Sequence, residues 1–146
     1  MDRGHNMKSI AQLRAQYALA KVNQIKIEYN NDLNNKNYKS FVAGCPTMIL
    51  QNGLGQALAF WAAKSKTNPK KKEGQILEVI RGWFNNSNNP LKLENTNTKD
   101  FIEKLMQKNQ NDFVLIQKET LLMLEWYKRY ANAFLEDREA VSNGEE

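Results

Sequence analysis

Histidine is the commonest proton-transfer side chain near neutral pH, and this sequence holds a single one, His5, close to its start. A polar segment of that kind gives an imidazole no fixed partner. His-based triads, paired-histidine ribonuclease chemistry and most metal centres therefore lose their key group. The one thiol, Cys45, stands among apolar residues just before Pro46. A helix N-terminus can lower a thiol pKa, but with no histidine partner Cys45 reads as a buried structural thiol. Gly53-Leu54-Gly55 resembles the opening of a phosphate-cradling glycine motif. It follows an apolar helix rather than a strand and lacks the third glycine, so it reads as a close approach between helices. Asp100, Glu103, Asp112 and Glu119 have no spacing that suggests a metal cage. The expectation is a non-enzyme with no catalytic residue, no metal, no cofactor and no small-molecule substrate.

What remains is binding. Net charge is +5, and it is uneven: residues 1–92 carry 14 Lys/Arg against 5 Asp/Glu, whereas residues 93–146 carry 7 against 11. Such a split suits a polyanion on one side and basic protein surface on the other. Cations at helical intervals beside apolar stripes can follow a phosphate backbone. The candidates are Arg14 and Lys21, two turns apart on the first helix, the cluster Lys64, Lys66, Lys70, Lys71 and Lys72, and Arg81. Nearby aromatics could stack on bases, but Trp61, Trp83 and Phe84 have core spacing. The bland alternative is that these lysines only solvate a surface.

Positioning these residues requires a fold, and 146 residues are enough for one packed core. Hydrophobic residues at 41% and charged residues at 25% are ordinary for a globular chain. No apolar run approaches the length of a membrane span, and no signal-peptide pattern opens the chain, so a cytoplasmic protein is expected. The 19 asparagines read as compositional bias. Ala11, Ala15, Ala18, Val22, Ile25 and Tyr29 mark one face of a first helix over about 7–29. Pro46 fits the first turn of a second, nearly all-apolar helix bearing Ile49, Leu50, Leu54, Leu58 and Trp61, the expected centre of the core. Asn52-Gly53 should kink or divide it. A basic connector over 64–73 leads to a third stretch with Ile76, Leu77, Ile80, Trp83 and Phe84. Thr98 is the expected N-cap of a short helix through Lys108 that buries Phe101, Ile102, Leu105 and Met106. A long helix over about 112–140 should follow. The fold class is thus all-α: a single-domain bundle of five to six helices, without strands. Residues 1–7 are expected to form a flexible N-terminal extension, 8–141 the bundle and 142–146 a flexible C-terminal tail.

Several stretches together resemble the small α-helical subunit of the Cmr (type III-B) CRISPR RNA-guided effector complex. They are Arg14-Ala15-Gln16-Tyr17-Ala18 with Lys21-Val22; Phe41-Val42; the segment from Cys45 to Phe60 with its Asn-Gly-Leu; and Leu121 to Tyr130. The resemblance implies a non-catalytic helical bundle whose kin stack beside one another along the backbone subunits, close to guide and target RNA. Cleavage would belong to another subunit. Its implied partners are the backbone subunit, copies of itself, and guide or target RNA, with no membrane. The basic part would face the RNA channel and the acidic C-terminal part would face protein. A small subunit of another CRISPR effector complex, or a helical protein–protein adaptor without RNA contact, stands as the alternative.

Overall fold

The computed structural model describes residues 7–28 and 37–136; the expected C-terminal tail, and all of the N-terminal extension but Met7, lie outside them. The described residues form six helices and no strand. These are α1 (Ile10–Glu28), α2 (Tyr38–Asn52), α3 (Leu54–Lys64), α4 (Lys72–Asn85), α5 (Thr98–Met106) and α6 (Gln110–Phe134). None is long and apolar enough to cross a membrane.

Each boundary has a local cause. Gly53 divides the apolar region at φ 83, ψ 156, a conformation essentially reserved for glycine. Its N–H still donates to Ile49 O, its carbonyl accepts from Ala57 N, and Leu54 N–H donates to the Gln117 side chain on α6. Both backbone groups of Gly53 and the first N–H of α3 thus keep hydrogen-bond partners across the break. Pro46 lies in the interior of α2, because that helix already starts at Tyr38 rather than at the proline. A mid-helix proline forfeits one backbone hydrogen bond, but its ring is buried against the core. Asn97, not Thr98, caps α5: its side chain accepts from Asp100 N. Asn109 does the same for α6 through Asp112 N. Asparagine is a strong cap because its short side-chain oxygen reaches the free N–H groups of the first turn.

The asparagines do more than reflect composition. Asn85 and Asn95 exchange side-chain and backbone bonds that pin the 91–97 segment to α4, and Asn89 donates to Trp83 O. Leu93 N–H closes the same connection onto Phe84 O.

Helices α1 and α2 pack on α6, while α3 packs on α2, α4 and α5. Between them lie Trp61, Trp83, Phe84, Phe101, Tyr127 and the aliphatic residues Ile49, Leu54, Leu58, Ile76 and Ile80, all fully buried. Three expected core positions point outward instead: Ala11 is exposed, Leu50 is 68% exposed and Met106 54%. Leu50 follows the buried Ile49, and successive residues on a helix face about 100° apart, so the two cannot share a face. Phe134 at the end of α6 is half-exposed, although its spacing of 3 from the buried Ala131 continues the stripe Ile116, Thr120, Leu124 and Tyr127.

Candidate nucleic-acid interface

The eight cations singled out in the sequence separate into two groups. Arg14, Lys21 and Arg81 lie along the junction of α1, α4 and α6. Lys64, Lys66, Lys70, Lys71 and Lys72 lie at the corner where α3 turns into α4.

At the junction, Arg14 Nε and Nη2 donate to the two oxygens of Glu119 at 2.5 and 2.8 Å. The pair is secluded, with Arg14 13% and Glu119 4% exposed. Trp83 Nε1 donates to the same carboxylate at 3.0 Å, so one Glu on α6 ties down both α1 and α4. Tyr17 sits beside them: its hydroxyl donates to Val79 O at 2.6 Å and its ring meets Trp83 at 5.2 Å between centroids. Burial pushes the Tyr17 hydroxyl pKa well above its ordinary value, with a further push from Tyr127 and Glu78. Gly82 allows this approach, since any Cβ there would run into the Tyr17 hydroxyl. Lys21 Nζ lies 5.5 Å from the Tyr17 ring centre and donates to Gln24.

Arg14 therefore leaves the set of RNA-facing candidates. Its guanidinium is largely buried, and its Nε and Nη2 are committed to a buried carboxylate that balances its charge. Lys21 and Arg81 are only partly exposed, and Arg81 Nε donates to the Asn95 side chain at 2.9 Å. Spacing alone gave Arg14 and Lys21 a common azimuth, which they keep. That azimuth faces α4 and α6.

The α3–α4 corner is different. Lys64, Lys66, Lys70 and Lys71 are all exposed, and none is paired with a carboxylate among the described residues. Lys72 is half-buried beside Glu73 at 3.7 Å, with its Nζ 5.8 Å from the Phe41 ring centre. The loop that carries them is fixed. Ser65 Oγ donates to Trp61 O, Asn68 N–H to Ser65 O, Lys71 N–H to Asn68 O, and Lys70 N–H to the Asn68 side chain. Gly74 abuts the Pro69 carbonyl so closely that a Cβ would collide with it, which locks the loop against α4. One aromatic was missed among the candidates: Phe60 on the last turns of α3 is 48% exposed, with Lys64 Nζ 5.5 Å from its ring centre. No signal in the sequence marks it, because the stretch around it is apolar on most sides.

The described C-terminal helices are nearly neutral rather than acidic. Across 93–136 there are 6 Lys/Arg against 7 Asp/Glu, and within α6 three of each. The acidic excess thus falls in 137–146, beyond the described residues. On α6, Glu119 is buried and Glu125 pairs with Lys128, so this helix does not present an acidic face.

No group of three or more His, Cys, Asp or Glu side chains suited to a metal ion occurs among the described residues. Cys45 is buried, its Sγ 3.3 Å from Phe41 O, and burial with nearby Glu73 raises its pKa well above 9.0. A thiol held protonated in that way is a poor nucleophile.

Residues 10–134 match the family model described as CRISPR-associated protein (Cas_Cmr5), from the first residue of α1 to the last of α6. The chain belongs to the Cmr5 family. It is also 25% identical over 132 residues to a protein of Thermus thermophilus named CRISPR system Cmr subunit Cmr5, an alignment covering 90% of this chain and 100% of that one. For this Cmr5-family chain, the match spans all six helices and both groups of cations.

Proposed function

We propose that this chain is a non-catalytic structural subunit of a type III-B CRISPR RNA-guided effector complex, acting in antiviral defence in the cytoplasm. It stacks along the backbone subunit with copies of itself and contacts or shields target RNA. The observation that carries this reading is the family match across the whole bundle. Two features support it. The fixed corner bearing Lys64, Lys66, Lys70 and Lys71 suits a phosphate backbone, which fixes position through charge without reading bases. On the other hand, residues 40–63 contain no charged side chain, and their exposed positions include Leu50, Phe60 and small residues such as Ala43 and Gly44. Interface centres are depleted of charge in the same way. That second feature alone would also serve a helical protein–protein adaptor without RNA contact.

A tagged chain expressed with the other subunits of such a complex separates the two. The effector-subunit reading expects co-purification of protein and RNA, with K70E/K71E lowering RNA content or occupancy while the domain stays folded. If assembly and RNA content are unchanged by K70E/K71E, the lysines only solvate and the adaptor reading stands. Metal-dependent RNA cleavage by the purified single chain would refute the non-catalytic role.

A further inference from the structure

The α3–α4 corner combines two kinds of group that a phosphate-binding surface alone does not need together. Four lysines, Lys64, Lys66, Lys70 and Lys71, are exposed without carboxylate partners among the described residues. Neighbouring like charges at the end of α3 and on a loop held by four hydrogen bonds repel one another, and a polyanion relieves that repulsion. One helical turn before Lys64, Phe60 exposes nearly half of its surface to water, although the next residue, Trp61, is buried. Lys64 holds its ammonium toward the Phe60 ring, and Phe41, the aromatic beneath Lys72, meets Trp61 edge-on at 6.2 Å. Trp61 thereby anchors the same turn of α3 that carries Phe60. The aromatic and Lys64 are presented on one helix, and Lys66, Lys70 and Lys71 on the hydrogen-bonded loop directly after it.

We propose that this corner is a stacking site for an unpaired base of single-stranded RNA, with Phe60 as the platform and Lys64, Lys66, Lys70 and Lys71 as the contacts to its flanking phosphates. The inference rests on the RNA-contacting role proposed above and adds the class of nucleic acid. Base stacking on an aromatic is tolerant of sequence, because every base offers a π face, whereas paired bases in a duplex are already stacked. Acidic peptide would satisfy the lysines but leave the ring unused.

The test uses the full chain with fluorescein-labelled single-stranded RNA, a duplex RNA of equal length and poly-glutamate as probes, read by anisotropy over a salt series. F60A is expected to weaken single-stranded binding about five- to a hundredfold while leaving the salt slope unchanged. Its effect on the duplex and on poly-glutamate should be absent. F60W is expected to restore binding, and K70E/K71E to lower the salt slope on every probe. Exposure of Phe60 keeps F60A folded, which its circular dichroism and melting curve verify. If F60A binds single-stranded RNA like the parent, or loses duplex and peptide equally, stacking is overturned while the RNA-contact reading survives. If the parent chain binds no RNA at low salt, both are overturned.

Discussion

At the scale of single residues, the decisive side chain is Glu119. It accepts from Arg14 and Trp83 in a nearly dry setting and so joins three helices through one carboxylate. Removing one partner of a secluded ion pair leaves the other uncompensated, whereas replacing both can be close to neutral. Arg14→Ala is therefore expected to cost about 3 kcal/mol in urea unfolding, with Arg14→Ala/Glu119→Leu recovering part of it. An R14E reversal would unfold the junction and cannot report on RNA. Two buried acids set the alkaline limit. Tyr17 and Cys45 both have folded pKa values raised above their ordinary 10.0 and 9.0. Their contribution is complete below those values and is lost as pH climbs past them, because the unfolded chain ionises first. Stability measured from pH 8 to 11 should fall from about pH 9 upward. C45A should flatten the first part of that fall, and Y17F the later part at some cost in baseline stability.

At the scale of elements, α2 and α3 form one apolar stretch of sequence that folds as two helices with separate buried faces. Ile49, Leu54, Leu58 and Trp61 go inward, while Leu50 and Phe60 go outward. Leu58→Ala removes fully buried methyl groups and is expected to cost roughly 2–5 kcal/mol. Leu50→Ala should stay within about 0.5 kcal/mol, as for other surface changes. Thermal melts of the two variants side by side check this, and equal shifts would show that the helix faces are assigned wrongly. Gly53 makes the arrangement possible: no side-chain-bearing residue adopts its backbone conformation without strain, so α2 and α3 break there and Leu54 swings into the core.

For the whole molecule, charge is distributed less symmetrically than the two halves of the sequence imply. The basic excess lies in the N-terminal two-thirds, the helices after Leu93 are nearly neutral, and residues 137–146 hold 4 Asp/Glu against 1 Arg. Removing 137–146 would raise net charge from +5 to about +8. The shortened chain is expected to bind RNA more tightly at low salt, with the difference vanishing near 1 M salt. Unchanged low-salt affinity would mean that the acidic segment does not act on the RNA-facing surface.

Sequence by itself determined that the chain is all-α, with one core and a single histidine. Apolar spacing of 3.6 residues and the scarcity of catalytic side chains are local properties, readable without knowing what packs where. It also located the basic corner, because lysines crowded around Pro69 suit nothing but an exposed turn. Periodicity fixes only the relative azimuth of residues on one helix. Which way that azimuth faces is set by the partner helices, and so Arg14 reads as a surface cation until Glu119, 105 residues later, is placed against it. Leu50 and Phe60 were equally undecidable: in a stretch apolar on most sides, hydrophobicity no longer marks the buried face. Only packing against α4, α5 and α6 chose Ile49 and Trp61 for the core and left their neighbours in water.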